Sequence, residues 1–222
     1  MSAILFGSIS TLADTSELQR RAFNEAFGAA GLDWEWSRDD YISMLESNGG
    51  AQRIADYAEQ KGEDDVDAAA IHTAKSEIFR ELLGTQNVSA RPGVADTIER
   101  AKQQGHRIGL VTTTSPENVA ALLDALKDQI DAGAFDIVVD KTAVEDPKPS
   151  PSSYLYALSE LGVDAADAVA IEDNVGGVAA AAEAGITCVA FPNENTAAGD
   201  FSKAAETVQS VDVDHLAKLV AA

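Results

Sequence analysis

Three short clusters, two of them placed just after an apolar run, carry side chains that could hold a phosphate group and a divalent cation. Thr112 and Thr113 follow Arg107-Ile108-Gly109-Leu110-Val111 and offer hydroxyls and main-chain amides to phosphate oxygens. Taken alone, a threonine there more often caps the next helix, by roughly two to one. Lys148 lies in Asp146-Pro147-Lys148-Pro149-Ser150-Pro151, where proline neighbours restrict the backbone and fix the direction of a cation. Glu172 and Asp173 follow Val169-Ala170-Ile171, a pair of carboxylates suited to one Mg²⁺ that keeps most of its waters. An acidic pair at that place is equally well explained by the macrodipole of the following helix.

The segments that must position these clusters alternate in kind. Ala3-Ile4-Leu5-Phe6 is apolar throughout and runs into Gly7-Ser8-Ile9-Ser10-Thr11, which predicts a buried parallel strand ending in a loop. Further strands are predicted over 107–111, 135–139, 168–171 and 187–191. Helices are predicted over 94–104, 116–126, from Pro151 to 161, over 175–184 and over 213–220, with Ser115 as a cap and Pro116 in the first turn of the second. This alternation means βαβ units and a doubly wound, three-layer α/β fold around a parallel sheet, whose carboxyl edge is where ligands collect.

A purely helical block interrupts that pattern directly after the first strand. Ser16-x-x-Gln19 opens it as a capping box, and Leu18, Ala22, Phe23, Ala26, Phe27 and Ala30 recur at helical spacing up to Gly31. Further helices are predicted around 39–46, 51–60 and 65–83, with turns at Asn48-Gly49-Gly50, Lys61-Gly62 and Gly84. The expected organisation is an α/β core of residues 1–14 and 86–222 carrying an all-helical cap over 15–85, which would shield the sheet edge from water. Trp34 and Trp36 are expected to pack within the cap, Arg91 to serve as a hinge, and one of Tyr154 and Tyr156 to be buried.

The order and placement of Thr11, Thr112, Lys148 and Glu-Asp-Asn-x-x-Gly at 172–177 resemble the haloacid dehalogenase-like phosphatases, whose opening pattern is Phe-Asp-x-Asp-Gly-Thr-Leu-x-Asp-Thr. Leu-Gln-Arg-Arg-Ala-Phe-Asn-Glu-Ala-Phe, Gly31-Leu32-Asp33-Trp34, Asn48-Gly49-Gly50-Ala51-Gln52-Arg53-Ile54 and Gly199-Asp200-Phe201-Ser202 are similar to the CbbY and beta-phosphoglucomutase-like members, so the likeness spans essentially the whole chain. The resemblance implies a Rossmann-like core, a helical cap, Mg²⁺ and phosphatase action on sugar bisphosphates, notably xylulose-1,5-bisphosphate. It assigns Thr112, Thr113 and Lys148 to phosphate, Glu17 and Arg53 to the substrate from the cap, and Glu172 and Asp173 to the metal. It also implies that the first Asp of the opening pattern is the nucleophile and the second a general acid/base, and here those positions are Gly7 and Ile9. Ser10 replaces the following glycine, Gln19 stands where the family has His, Ala51 where it has Lys, and Pro147 replaces the first of two lysines.

Gly7 cannot attack phosphorus and Ile9 cannot move a proton. Loss of a general acid/base costs about 10²–10⁴-fold, and removal of a required nucleophile costs on the order of 10⁶. Ser8, Ser10 and Thr11 supply hydroxyls nearby, but an activated serine needs an adjacent base, and Ser8 should alternate to the other face from position 7. The expected function is a CbbY-like phosphatase homologue without aspartyl-phosphate chemistry that still binds phosphate or a small phosphorylated metabolite. Its Mg²⁺ site, reduced to Glu172, Asp173 and a backbone carbonyl, should be weak or lost, and no other cofactor is expected. The alternatives are an active hydrolase using water or a replacement nucleophile, and a non-catalytic regulatory or interaction protein.

Composition narrows the partners. Sixteen Lys/Arg against 37 Asp/Glu give a formal charge of −21, which repels nucleic acid and anionic membranes and obliges any phosphate site to supply its own donors. Cys188, within Ile186-Thr187-Cys188-Val189-Ala190-Phe191, is expected to be a buried inert thiol. The opening residues carry no basic n-region and no cleavage site, and no apolar run nears a bilayer's thickness, so a cytoplasmic location is expected; the chain is separately expected to be a monomer.

Overall fold

The apolar run at the start of the chain forms β1 (Ala3–Phe6), every residue of which is buried. The computed structural model describes residues 2–45, 49–63 and 65–220. Among these, β1 is flanked in parallel by β2 (Arg107–Val111) and β4 (Ala168–Glu172). The sheet continues through β3 (Ile137–Val139) beside β2, and through β5 (Thr187–Ala190) and β6 (Glu206–Thr207) beside β4, giving the order β3-β2-β1-β4-β5-β6. Phe6 pairs with both Leu110 and Ile171, so Gly7, Val111 and Glu172 end level at one edge. That register brings together residues far apart in the chain.

Strand alternation divides the apolar residues between two faces. Ala3, Leu5, Ala168, Ala170 and Cys188 pack with Tyr154, Ala157 and Leu158 of α8 (Ser152–Leu161) and Val178, Ala180 and Ala181 of α9 (Val175–Glu183). Ile4, Phe6, Ile108 and Leu110 are buried on the other face. There α6 (Val94–Gln103) and α10 (Val213–Val220) contact β2, β4 and each other. The result is the three-layer α/β arrangement around a parallel sheet. A single-turn helix, α1 (Ile9–Leu12), follows β1, and α7 (Pro116–Ala125) starts as expected, with Ser115 accepting from Asn118 N at 3.3 Å. The third strand is shorter than expected, because a 3-10 turn at Ala132–Ala134 precedes it, and two-residue β6 was too short to register in the sequence.

Contacts divide the chain into two compact units, Met1–Asp14 with Val88–Ala222, and Thr15–Asn87. The second is helical: α2 (Ser16–Ala29), α3 (Arg38–Ser43), α4 (Gly50–Lys61) and α5 (Ala68–Thr85). Its interior is aromatic. Phe27 meets Trp34 and Trp36 edge-on at 5.3 and 4.7 Å, and Trp36 in turn meets Tyr57 at 5.5 Å. Trp36 is pinned by its own backbone, whose N–H donates to Asn24 Oδ1 at 2.9 Å while its carbonyl accepts from Asn24 Nδ2 at 3.0 Å and Arg20 at 2.9 Å.

Two local expectations fail here. The capping box at Ser16 does not form: the helix already includes Ser16, Thr15 is the cap, and the Gln19 side chain is turned to Lys75 instead. Gly84 does not end α5, which runs on to Thr85 because burial of Leu82 and Leu83 outweighs the weak propensity of one glycine. Glu46 and Asn48, assigned to a helix and a turn, lie outside the described residues. No helix among those described is long and apolar enough to cross a membrane.

Phe27 is fully buried at the centre of the aromatic cluster. Phe27→Ala is expected to destabilise the protein by about 3–5 kcal/mol, measured by urea unfolding followed through tryptophan fluorescence.

Candidate functional site

The level strand ends place a lysine and a glutamate inside the protein. Lys148, held between Pro147 and Pro149, sends its ammonium to the carbonyl of Gly7, to Val111 O at 2.6 Å and to Glu172 Oε1 at 2.7 Å. Those three acceptors account for the three N–H donors of an ammonium group. The Tyr154 hydroxyl donates to the same Glu172 oxygen at 2.8 Å, and its ring lies 4.4 Å beneath the Lys148 nitrogen. Lys148 is 7% exposed and Glu172 0%. The other carboxylate oxygen, Glu172 Oε2, is buried with no hydrogen-bond partner among the described residues. Burial, reinforced by nearby Asp173, pushes the Glu172 carboxyl up, against the pull of Lys148 and Tyr154. Burial and the Glu172 charge push the Tyr154 hydroxyl well up, so it stays a donor.

Gly7 is where this group closes. A Cβ at that position would lie 2.2 Å from Glu172 Cδ and Oε1 and 2.4 Å from the Tyr154 oxygen. The space beside position 7 is filled by the carboxyl group of Glu172.

Around it the edge is tightly hydrogen-bonded. Ser8 Oγ donates to Asp173 Oδ1 at 2.6 Å and accepts from Thr11 N at 3.0 Å. The alternation that should have turned Ser8 away from this edge does not apply, because the strand ends at Phe6 and Ser8 caps α1. Asp173 Oδ1 also accepts from Asn174 Nδ2 at 3.1 Å, and Asn174 caps α9 through Gly177 N at 2.9 Å. Thr112 is buried, with its amide on Val139 O and its hydroxyl accepting from Thr114 N at 3.2 Å. Thr113 is exposed and has no hydrogen-bond partner among the described residues. Ile9 is buried in α1.

Arg91, expected as a hinge, is a buried clamp within the α/β unit. Its guanidinium donates to Ser10 O at 3.2 Å, Phe191 O at 2.7 Å and Pro192 O at 2.7 Å, and it lies 3.5 Å over the Phe191 ring. Burial lowers its proton affinity while Asp173 and Asp14 raise it. Cys188 is buried and its thiol is pushed up, as an inert core residue should be.

In the helical unit Glu17 pairs with Arg20 at 2.9 Å and faces Arg38 at 3.8 Å. Arg53 is buried, donates to Met44 O at 2.9 Å and lies 5.8 Å over the Tyr41 ring. Lys75 is buried too. Its ammonium donates to Gln19 Oε1 and sits over the rings of Phe23 and Phe79 at 4.7 and 5.1 Å. Burial, with a smaller contribution from Arg53, lowers it to about 7. Neither Lys75 nor the contacts of Tyr154 stand out from the sequence; a tyrosine in the first turn after Pro151, six residues from Lys148, is the available signal for the second.

A family model for haloacid dehalogenase-like hydrolases matches residues 1–185. The chain belongs to the haloacid dehalogenase-like hydrolases. It is 42% identical over 210 residues to Protein CbbY of Cereibacter sphaeroides, covering 94% of this chain and 91% of that one. Its fold superposes on the crystal structure of CbbY from Rhodobacter sphaeroides in complex with phosphate with a TM-score of 0.88 and 40% identity, covering 99% of this chain and 96% of that one. A mutant of that CbbY in complex with xylulose-(1,5)bisphosphate gives the same TM-score at 41% identity, over 95% of this chain and 94% of that one. Within the haloacid dehalogenase-like hydrolases this is a CbbY-like chain.

Haloacid dehalogenase-like hydrolases typically use Mg²⁺, but with Glu172 turned inward only the Asp173 carboxylate is left at this edge, too few oxygens to fit that ion. Glu172 Oε1 is taken by Lys148 and Tyr154, Glu172 Oε2 is sealed, and Asp173 Oδ1 is taken by Ser8 and Asn174. The described residues contain no group of three His, Cys, Asp or Glu side chains placed to hold a metal.

Two outcomes follow from the two buried lysines. Glu172→Gln leaves the Lys148 ammonium without its counter-charge and is expected to cost about 3–5 kcal/mol in urea unfolding, most of it recovered when Lys148→Met is added. For Lys75, the folded value of about 7 lies below the ordinary 10.5, so the unfolded chain binds the proton more tightly and stability rises with pH inside that window. The rise should be at most about 1.4 kcal/mol per pH unit, flat below the folded value, and absent from Lys75→Met in denaturation series across the same range.

Proposed function

We propose that this chain is a CbbY-like phosphatase homologue that has lost aspartyl-phosphate chemistry and retains binding of phosphate or a phosphorylated sugar. The observation that supports the loss is Gly7, which lacks an attacking oxygen and beside which Glu172 fills the adjoining space. Glu172 itself is 0% exposed and cannot meet a substrate in its present position. Ile9, an apolar residue, supplies no proton for a leaving alkoxide. Binding rests on Thr112 and Thr113, with the exposed Thr113 offering a hydroxyl and an amide. Lys148, assigned to phosphate by the resemblance, has its three donors committed to the chain and gives the ligand no direct hydrogen bond in this arrangement. Glu17 and Arg53, in the helical unit, remain the substrate residues that the family resemblance assigns. The likeness to CbbY proteins crystallised with phosphate and with xylulose-(1,5)bisphosphate supports this ligand class.

One contact favours a second reading, an active hydrolase. The 2.6 Å hydrogen bond from Ser8 Oγ to Asp173 pairs a hydroxyl with a carboxylate base. Ser8 Oγ would bond to phosphorus, the phosphorus–oxygen bond to the sugar would break, and the serine proton would pass to Asp173. The departing alkoxide then lacks a donor at Ile9, and for this reason the binding reading is preferred.

A steady-state assay with sugar bisphosphates and Mg²⁺ separates the readings. No turnover above buffer is expected, whereas turnover abolished by Ser8→Ala establishes the second reading and turnover abolished by EDTA overturns the first. Thr113→Val is expected to weaken inorganic phosphate binding about tenfold in calorimetric titration, the equivalent of one hydrogen bond to a charged acceptor.

A further inference from the structure

The Glu172 carboxyl group rests in a cradle made by two missing side chains. A Cβ at Gly177 would lie 2.1 Å from Glu172 Cδ and 2.2 Å from each of its oxygens, and one at Gly7 would lie 2.2 Å from Cδ and Oε1. Real Cβ atoms essentially never come within 3.0 Å of such neighbours. The carboxyl group is therefore lodged between α9 and the end of β1, in volume that a side chain at position 7 would need. Within that cradle it supplies the one carboxylate that Lys148 meets, while the two remaining donors of Lys148 go to main-chain carbonyls. Lys148 and Glu172 form a neutral, buried pair.

We infer that Glu172 acts as an internal replacement for a carboxylate at position 7, serving as the counter-ion of Lys148, and that this withdraws it from the sheet edge so that no Mg²⁺ site forms in this chain. Metal ligation would require Glu172 to leave the cradle, which would strip Lys148 of its partner. Asp173 alone, one of its oxygens engaged by Ser8 and Asn174, is left at the edge. An aspartate at position 7 would reverse both conditions. It would claim the volume that Glu172 fills, offer Lys148 a different carboxylate, and release Glu172 to the side of Asp173. Two adjacent carboxylates plus the new one make an oxygen set of the kind hard divalent cations take. This inference goes beyond the proposed function and stands whether or not a sugar phosphate binds.

Mn²⁺, which prefers the same oxygen ligands as Mg²⁺, is the probe, followed by the loss of its free-ion paramagnetic resonance signal and checked by Mg²⁺ competition. The wild-type chain is expected to take up Mn²⁺ only weakly and without a stoichiometric end point, indistinguishably from Asp173→Ala. Gly7→Asp is expected to bind one Mn²⁺ at least tenfold more tightly than wild type. A single saturable Mn²⁺ in the wild type that Asp173→Ala loses would overturn the inference, and this comparison needs no variant at position 7. A folded Gly7→Asp protein with no gain in affinity would overturn it as well, because the cradle would then not be what closes the site.

Discussion

An ammonium group buried where three parallel strands end must be surrounded by oxygen, and the rest of the α/β unit is arranged so that it is. The register of β1 against β2 and β4 brings the carbonyls of Gly7 and Val111 to the Lys148 nitrogen. Two main-chain carbonyls leave a full positive charge uncompensated in a poorly polarisable interior, and Glu172 supplies the negative one. Tyr154 then occupies the remaining direction, with its ring under the cation and its hydroxyl on the anion. The ion pair, the tyrosine and the two glycines that make room for them form one packed unit, in which each member's position is set by the others.

The two buried lysines of this chain show how much the partner matters. Lys148 meets a carboxylate. Lys75 meets a neutral amide oxygen and two ring faces, and burial draws its proton affinity down toward neutrality. Gln19, its partner, occupies a position where resemblance predicts histidine, so the electrostatics of the helical unit also depart from the family pattern at a place that packing alone would not reveal.

Much of the fold was legible because it is written in periodicity. The uniformly apolar run at Ala3–Phe6 and the alternation of strands with helices after residue 88 specify a parallel sheet, and Ser115-Pro116 marks a helix start that the structure reproduces. What stayed hidden depends on volumes and directions that a one-dimensional reading does not contain. Thr112, Lys148 and the Glu172-Asp173 pair could be placed at strand ends, but the inward turn of Glu172 follows from absent atoms at Gly7 and Gly177, which periodicity does not weigh. Ser8 escapes strand alternation because it lies two residues past the end of the strand and caps the next helix. The capping box at Ser16 failed for a related reason, since the motif recurs by chance wherever serine and glutamine fall three apart, and here a buried amine competes for the glutamine.

Arg91 holds the carbonyls of Ser10, Phe191 and Pro192 in one planar grip, joining the segment after β1 to the segment after β5. None of those acceptors is a side chain. Its hydrogen bonds therefore follow the course of the backbone, and replacement of the neighbouring side chains at positions 7 to 10 leaves their acceptors in place. A sheet edge braced in this manner can change its reactive groups one at a time without collapsing, which gives a lineage room to shed or exchange chemistry while the scaffold continues to fold.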